Sequence, residues 1–301
     1  MKTATLNDYK KRIGCVLEHI EQNLDAPMRL EKLAAVACFS PYHFHRIFRG
    51  MVGESVKEYV RRLRLERAAA QLSRGAVPVI DVALEAGYDS HAAFTRSFKA
   101  AFGIAPSACR GLWQIESSSG VHYGGAAGRS FRSRRQGGKM KVEIKQMEPM
   151  RVACLRHVGP YDEVGETWDR LLTQMGKEGY LGGNPAMLGI CHDDPETTPA
   201  EKIRYDACLT VDEGFMGLGP IGVQTVAGGS YAVMTHKGPY NRLGESYSRL
   251  MGQWLPRSGR ELRDAPAFEI YLNDPQTTQP GDLLTDICAP LQELRRGEEE
   301  K

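Results

Sequence analysis

The chain has 301 residues, of which 42% are hydrophobic and 25% are charged, and its formal net charge at pH 7 is +2. This length predicts two domains, and the ordinary composition excludes an intrinsically disordered or fibrous protein. No run of about 18 apolar residues occurs that could cross a membrane, and the first residues lack the apolar core of a signal peptide. The seven cysteines are scattered and never spaced Cys-x-x-Cys. We therefore expect a cytoplasmic protein without a disulfide framework, a metal ion or a cofactor.

The small net charge hides a strong asymmetry along the chain. Residues 1–112 contain 17 Lys and Arg against 11 Asp and Glu, and residues 113–139 contain 5 against 1. Residues 140–301 contain 17 against 25, which makes the first 139 residues +10 and the remainder −8. A basic first part suits phosphates and an acidic second part suits small cations.

An internal repeat with a spacing of about fifty residues occurs in the first part. Each copy has a helix with alanines three residues apart, a short turn at Cys38 or Gly87, and a second helix that begins after a polar N-cap. Alanines let two helices pack closely, and glycine permits a tight turn, so the pattern predicts two helix-turn-helix units. Between the copies, the residues from Ser55 to Ser73 predict one long helix, and Pro78 separates it from the second unit.

The second helix of each unit has an apolar side and a polar side. Phe44 and Phe48 in the first copy, and Phe94 and Phe98 in the second, are predicted to be buried. The outward residues predicted to contact double-stranded DNA in the major groove are Tyr42, His43, His45, Arg46, His91, Ala92, Thr95 and Arg96. Arginine is well shaped for a bidentate contact to guanine, and two arginines occupy equivalent positions. The alternative is that the outward sides of the two helices are merely solvated faces.

Residues 8–112 resemble the DNA-binding domain of AraC/XylS-type transcription regulators. The residues that carry this resemblance in the second unit are Ile80, Ala83, Gly87, Tyr88, Ser90, Phe94, Arg96, Phe98, Lys99, Phe102, Gly103, Pro106, Ser107 and Arg110. The resemblance implies an all-α domain of seven helices, whose two helix-turn-helix units enter successive major-groove segments about 34 Å apart. It also implies a regulator of transcription, with RNA polymerase as a further partner.

Residues 113–139 are rich in Gly, Ser and Arg and show no helical or strand period, which predicts a flexible linker. Its arginines either touch DNA phosphates or only keep the linker solvated. A flexible linker argues against a rigid lever between the domains. An effector would then act on dimerisation, protein turnover or contact with RNA polymerase.

A second internal repeat, with a period of 79–80 residues, occurs in the acidic part. His157–Tyr161 returns as His236–Tyr240, and Asp206–Cys208 returns as Asp286–Cys288. Each copy predicts a strand, a Gly-Pro turn, a helix and two or three further strands. Such a duplication predicts an α+β domain with a central groove for one ligand.

A carboxylate and several aromatic side chains distinguish this part of the chain. Glu269 lies in an otherwise apolar predicted strand, where alternation places it on the same face as Tyr271. The first copy has Gly189 at the matching position, so the fold itself does not require a carboxylate there. A carboxylate among aromatic rings suits a lipophilic cation, and the predicted ligand-binding residues are Glu269, Tyr271, Tyr161, Trp168, Tyr240 and Tyr247. The alternative is that the aromatic residues are core and Glu269 lies on a solvated sheet face.

Residues 140–296 look like the gyrase-inhibitor-like (GyrI-like) small-molecule-binding domain, a module of two βαββ repeats. The two Gly-Pro-Tyr segments and Phe268–Pro275 carry this resemblance. It implies a groove glutamate, matched here by Glu269, that receives amphipathic and often cationic compounds. The two resemblances together imply a sensor of drugs or metabolites, or an activator of stress and multidrug-resistance genes.

Two other functions remain open. Some GyrI-like domains resemble hydrolases of electrophilic compounds, and Glu269 would then act as a general base helped by Tyr271. No nucleophile triad or metal cluster supports that reading, and His157, His192 and His236 are isolated residues with predicted structural roles. We therefore predict no catalytic residues. The other alternative is a protein-binding module.

Overall fold

A computed structural model describes residues 2–75, 77–109, 140–193 and 198–293. The first part of the chain is helical, and the second part is a mixed α/β domain with one antiparallel sheet of eight strands. The predicted order, a helical domain followed by an α+β domain, is therefore confirmed. None of the helices in these ranges combines the length and the apolarity that a bilayer crossing requires.

The described residues of the first part form six α-helices. They are α1 (Lys2–Gln22), α2 (Leu30–Val36), α3 (Pro41–Val52), α4 (Val56–Arg74), α5 (Val79–Glu85) and α6 (His91–Phe102). One turn of 3-10 helix, Pro106–Cys109, follows α6. Residues 110–112 of the predicted domain and the predicted linker 113–139 lie outside the described residues.

The pairs α2–α3 and α5–α6 are the two predicted helix-turn-helix units. Their turns place Cys38 and Gly87 at equivalent positions, with φ angles of 52° and 81°. Glycine adopts this left-handed conformation freely, whereas a cysteine there is unusual. Ser90 caps α6 by accepting a hydrogen bond from the Ala93 amide at 3.2 Å, but Ser40 makes no such bond at the start of α3. The turns are as predicted, and the side-chain cap is present in the second unit.

The long helix predicted between the units is α4. Its N-cap residue, Ser55, accepts a hydrogen bond from the Glu58 amide at 3.2 Å, and the Glu58 carboxylate accepts one from the Ser55 amide at 2.8 Å. This capping box fixes the beginning of the helix. Pro78 stands at the N-cap of α5, so the predicted break between α4 and the second unit is confirmed.

The second part has the following elements: β1 (Glu143–Met147), β2 (Met150–Val158), α7 (Val164–Lys177), β3 (Met187–Cys191), β4 (Arg204–Thr210), β5 (Gly222–Val226), β6 (Gly229–Lys237), α8 (Leu243–Arg249), α9 (Leu255–Ser258), β7 (Phe268–Tyr271) and β8 (Leu284–Pro290). A π-helical turn, Leu250–Trp254, joins α8 to α9. The strand order is β1-β6-β8-β7-β3-β4-β2-β5. The central pair is therefore β7 and β3, where the two halves of the domain meet.

The two parts of the chain pack directly against each other. Helix α3 crosses the π-helical turn at Gly50 and Gly252, where a Cβ atom on either glycine would overlap the backbone of the other. One continuous apolar cluster joins Phe44, Ile47, Met51, Tyr247, Leu250, Met251 and Leu255. The sequence predicts a flexible linker that argues against a rigid lever between the domains, whereas the structure shows a direct contact between α3 and the helical segment 243–258.

Strand register pairs two of the cysteines. Cys154 on β2 lies directly opposite Cys208 on β4, with their Cα atoms 4.3 Å apart, and their sulfurs form a disulfide. Cysteine spacing along the chain predicts no disulfide framework. This pair departs from that prediction because only the register of two strands brings the residues together.

Candidate functional site

Glu269 lies at the centre of the sheet, on β7, directly opposite Gly189 on β3. Its side chain is only 4% exposed, and the Tyr271 hydroxyl donates a hydrogen bond to its Oε2 atom at 2.9 Å. The predicted alternation, with Glu269 and Tyr271 on one face, is therefore what the structure shows. The alternative position for this carboxylate, on a solvated sheet face, is excluded by its burial.

Gly189 leaves the space in which two tyrosines meet. The hydroxyls of Tyr205 and Tyr271 are 2.8 Å apart, and a Cβ atom at Gly189 would overlap both. The Trp168 indole nitrogen donates to the Tyr205 hydroxyl at 3.0 Å. A chain of hydrogen bonds thus links Trp168, Tyr205 and Tyr271 to the carboxylate of Glu269.

Aromatic rings surround this hydrogen-bonded chain. The Tyr271 ring makes edge-to-face contacts with Trp168 and Tyr240, with ring centres 5.7 Å and 5.5 Å apart. Tyr161 makes a similar contact with Tyr205, at 6.0 Å. Tyr240 is 38% exposed and so marks the solvent edge of the cluster. Rings around a buried carboxylate can hold the apolar body of a ligand while the carboxylate binds its charge.

The structure brings the predicted ligand-binding residues together: Glu269, Tyr271, Tyr161, Trp168, Tyr240 and Tyr247. Sequence reasoning missed Tyr205, which sits between Trp168 and Tyr271. A usable signal was present, since Tyr205 directly precedes the repeated segment Asp206–Cys208, on the strand beside Gly189.

Glu269 is in an environment that disfavours its charge. Burial raises the pKa of Glu269 above its ordinary value, while the hydrogen bond from Tyr271 and the positive charge of Arg46 oppose that rise. The Cys191 thiol lies 3.6 Å from the Oε1 atom of Glu269, and burial raises the pKa of this thiol. A cation placed here would gain a carboxylate partner that water screens weakly.

Arg46 of α3 reaches this cluster from the first part of the chain. Its guanidinium carbon lies 3.9 Å from the centre of the Tyr247 ring, which is itself buried. The sequence predicts an Arg46 that faces outward towards DNA. The structure places it against the C-terminal domain instead, because α3 packs on the segment from α8 to α9.

His43 departs from its predicted outward orientation for the same reason. It is 2% exposed, and its Nε2 atom lies 3.2 Å from the Arg263 carbonyl oxygen. Burial lowers the pKa of His43 to about 4. Tyr42 and His45 are half-buried, and burial lowers the pKa of His45 well below its ordinary value. The covered side of α3 thus includes part of the surface predicted to contact DNA.

The second unit presents its predicted surface to solvent. His91, Ala92 and Arg96 are exposed on α6, and Thr95 is half-buried. Phe94 and Phe98 form the buried side, as predicted. The two equivalent arginines therefore differ in this structure, since Arg96 is free to approach a partner and Arg46 is covered.

Three histidines in the second part, His157, His192 and His236, contact polar groups of neighbouring segments. His157 and His236 each place one ring nitrogen beside a hydroxyl of the following helix, Thr167 at 3.1 Å or Ser246 at 2.8 Å. The other nitrogen of each lies beside a proline carbonyl in the Gly-Pro turn. His192 pairs with Asp206 at 2.8 Å. These contacts agree with the predicted structural roles, and in the described ranges no cluster of three or more acidic, His or Cys side chains could hold a metal.

Two known families match the chain. Residues 33–111 match the profile of a helix-turn-helix domain, and residues 140–292 match the profile of the GyrI-like small molecule binding domain. The chain belongs to the AraC-type regulators that carry a GyrI-like domain. The second match covers half of the chain and contains every predicted ligand-binding residue.

Several proteins are similar over most or part of the chain. The transcriptional regulator Rob of Salmonella typhimurium is 24% identical, over 92% of this chain and 96% of its own length. The right origin-binding protein of Escherichia coli is 25% identical, over 90% of this chain and 95% of its own. Among solved structures, the EcmrR C-terminal domain is 20% identical and has a TM-score of 0.46, covering 52% of this chain and 100% of its own.

Proposed function

We propose that this AraC-type protein is a transcription regulator whose GyrI-like domain senses an amphipathic organic cation. The observation that carries the proposal is Glu269, a carboxylate that is 4% exposed, hydrogen-bonded to Tyr271 and enclosed by aromatic rings. A buried carboxylate is costly without a positive partner, and aromatic faces attract the same charge. The ligand would lay its apolar body along Tyr240 and Trp168 and direct its charge at Glu269.

The first part of the protein would bind double-stranded DNA. The residues proposed to contact it are Tyr42, His43, His45 and Arg46 on α3, and His91, Ala92, Thr95 and Arg96 on α6. The excess of basic residues in the first 139 positions supports attraction to phosphates. We further infer that the protein acts in the cytoplasm and engages RNA polymerase at its promoters.

We also infer that the GyrI-like domain consists of two βαββ repeats within residues 140–296, preceded by a DNA-binding domain over 8–112. The strand order supports this, since β7 and β3 are central, β8 and β6 follow β7 outward, and the equivalent strands β4 and β2 follow β3. The matched contacts of His157 and His236 support it as well. In this description Glu269 and Gly189 are equivalent positions, one in each repeat.

The proposal is tested by comparing two ligands of equal shape. Isothermal titration of the full chain would use para-butylbenzamidinium, which is cationic, and para-butylbenzamide, which is neutral. The wild-type chain should bind the cation about tenfold more tightly or better, and Glu269→Gln should abolish that preference. Glu245→Gln is the matched control, because Glu245 is exposed on α8 and pairs with Arg242 outside the cluster. Equal affinity of the wild-type chain for both compounds would refute a cation site at Glu269.

A hydrolase function is the second candidate, because the same residues could serve it. Burial raises the pKa of Glu269, and a general base near neutrality needs such a shift. Turnover of an epoxide or another electrophile by the full chain, lost in Glu269→Gln, would favour this candidate over ligand sensing.

A further inference from the structure

Arg46 stands where a bound cation would stand. Its guanidinium carbon lies 3.9 Å from the centre of the Tyr247 ring, and its positive charge acts on Glu269 and Tyr161. A guanidinium is a planar, delocalised monocation that stacks on aromatic rings and pairs with carboxylates. A cation of the protein itself thus already lies beside the site proposed for an external cation.

The rest of α3 is held in place by contacts to the same domain. Gly50 crosses Gly252 at backbone contact distance, and His43 lies 3.2 Å from the Arg263 carbonyl oxygen. His43, Arg46 and Gly50 recur at spacings of three and four residues, so they lie on one side of the helix. That side includes two of the residues proposed to contact DNA. A helix covered on this side cannot lie in the major groove at the same time.

We propose that Arg46 is an internal competitor of the effector. In the effector-free protein it occupies the cation site and keeps α3 covered by the GyrI-like domain. A cation with a planar, delocalised head group, of the amidinium or guanidinium class, displaces Arg46 and releases α3 for DNA. This inference rests on the proposed function, because it needs Glu269 to be part of a cation site.

The covered arrangement leaves the second unit available. His91 and Arg96 on α6 are exposed while α3 is covered. Effector-free protein would therefore bind DNA through one unit, weakly, and effector-bound protein through two. Because the effector and DNA both favour the released arrangement, each raises the affinity for the other by the same factor.

The test separates α3 from the domain without touching Arg46 or Glu269. Gly252→Ala puts a Cβ atom into the backbone of α3, and Gly244→Ala is the control, because a Cβ there meets nothing within 4 Å. Both glycines lie in the same helical segment. Gly252→Ala should bind para-butylbenzamidinium about tenfold more tightly than the wild-type chain, since the competitor has been moved away. It should also bind a DNA site, selected from random sequences with the full chain, about tenfold more tightly in the absence of cation.

A second variant keeps the inference falsifiable if Gly252→Ala does not fold. Arg46→Gln removes the competing charge, so the affinity of this variant for the cation should exceed that of the wild-type chain. Suppose that the wild-type chain prefers the cation to the neutral amide, but that the folded variants bind the cation no more tightly than the wild-type chain does. This result would overturn the role of Arg46 as an internal competitor and leave the cation site at Glu269 standing. If the wild-type chain shows no such preference, the proposed function fails and this inference falls with it.

Discussion

Gly189 lies directly opposite Glu269 in the pairing of β3 with β7. Because glycine has no side chain, the hydroxyls of Tyr205 and Tyr271 can approach to 2.8 Å beside it. The Tyr271 hydroxyl then donates a hydrogen bond to the Oε2 atom of Glu269 at 2.9 Å. The orientation of the carboxylate in one half of the domain therefore depends on a missing side chain in the other half.

Gly189→Ala should damage both stability and ligand binding. The new Cβ atom would overlap the two tyrosine hydroxyls, and overpacking of this kind costs about 1–3 kcal/mol. Urea unfolding would measure the loss, and titration with the cation would show weaker binding. Gly222→Ala on β5 is the control, because its Cβ meets nothing within 4 Å. If the two variants unfold at the same urea concentration and bind the cation equally, the packing role of Gly189 is wrong.

Glu269→Gln should make the protein more stable at neutral pH. Burial raises the pKa of Glu269 in the folded chain, so the unfolded chain ionises this group at lower pH than the folded chain does. The raised pKa therefore destabilises the folded state at neutral pH, and this cost disappears below the unfolded pKa. The gain in Tm of Glu269→Gln should shrink as the pH falls towards about 4.

The control for this pH dependence is Glu245→Gln. Arg242 lowers the pKa of the surface carboxylate of Glu245, so this substitution should give no gain in Tm at neutral pH. A gain for Glu269→Gln that stays constant from neutral to acidic pH would contradict the account of its burial.

Arg96→Ala should weaken binding to the selected DNA site by about 1–3 kcal/mol, with a smaller loss on random DNA, because a bidentate contact to a base is sequence-specific. Arg96 is exposed on α6, so the loss does not require any change in packing. Arg61→Ala, exposed on α4 outside both proposed recognition helices, should affect the two DNAs equally. Fluorescence anisotropy with both DNAs measures the difference. Equal losses for Arg96→Ala on the two DNAs would exclude it as a base-contacting residue.

Features with a local cause could be predicted from the sequence. The turns at Cys38 and Gly87, the capped helix after Ser55 and the shared face of Glu269 and Tyr271 all follow from short-range rules for turns, caps and strand alternation. The repeats also predicted matching elements in the two copies of each part.

Features created by distant pairings could not be predicted in this way. The disulfide of Cys154 with Cys208 depends on strand register, and Tyr205 joins the site only because β4 lies beside β3. The amphipathic pattern of α3 identified the side packed within its own domain. It could not show that Gly50 and Gly252 would bring the opposite side against the second domain, since no period along the chain relates those two glycines.

The most direct measurement is a crystal structure of the full chain with para-butylbenzamidinium. We predict density for the compound inside the aromatic cluster, with its amidinium within hydrogen-bond distance of the Glu269 carboxylate and the Arg46 side chain displaced from the Tyr247 ring. Density for the compound elsewhere on the protein, with Arg46 still over Tyr247, would contradict a cation site at Glu269.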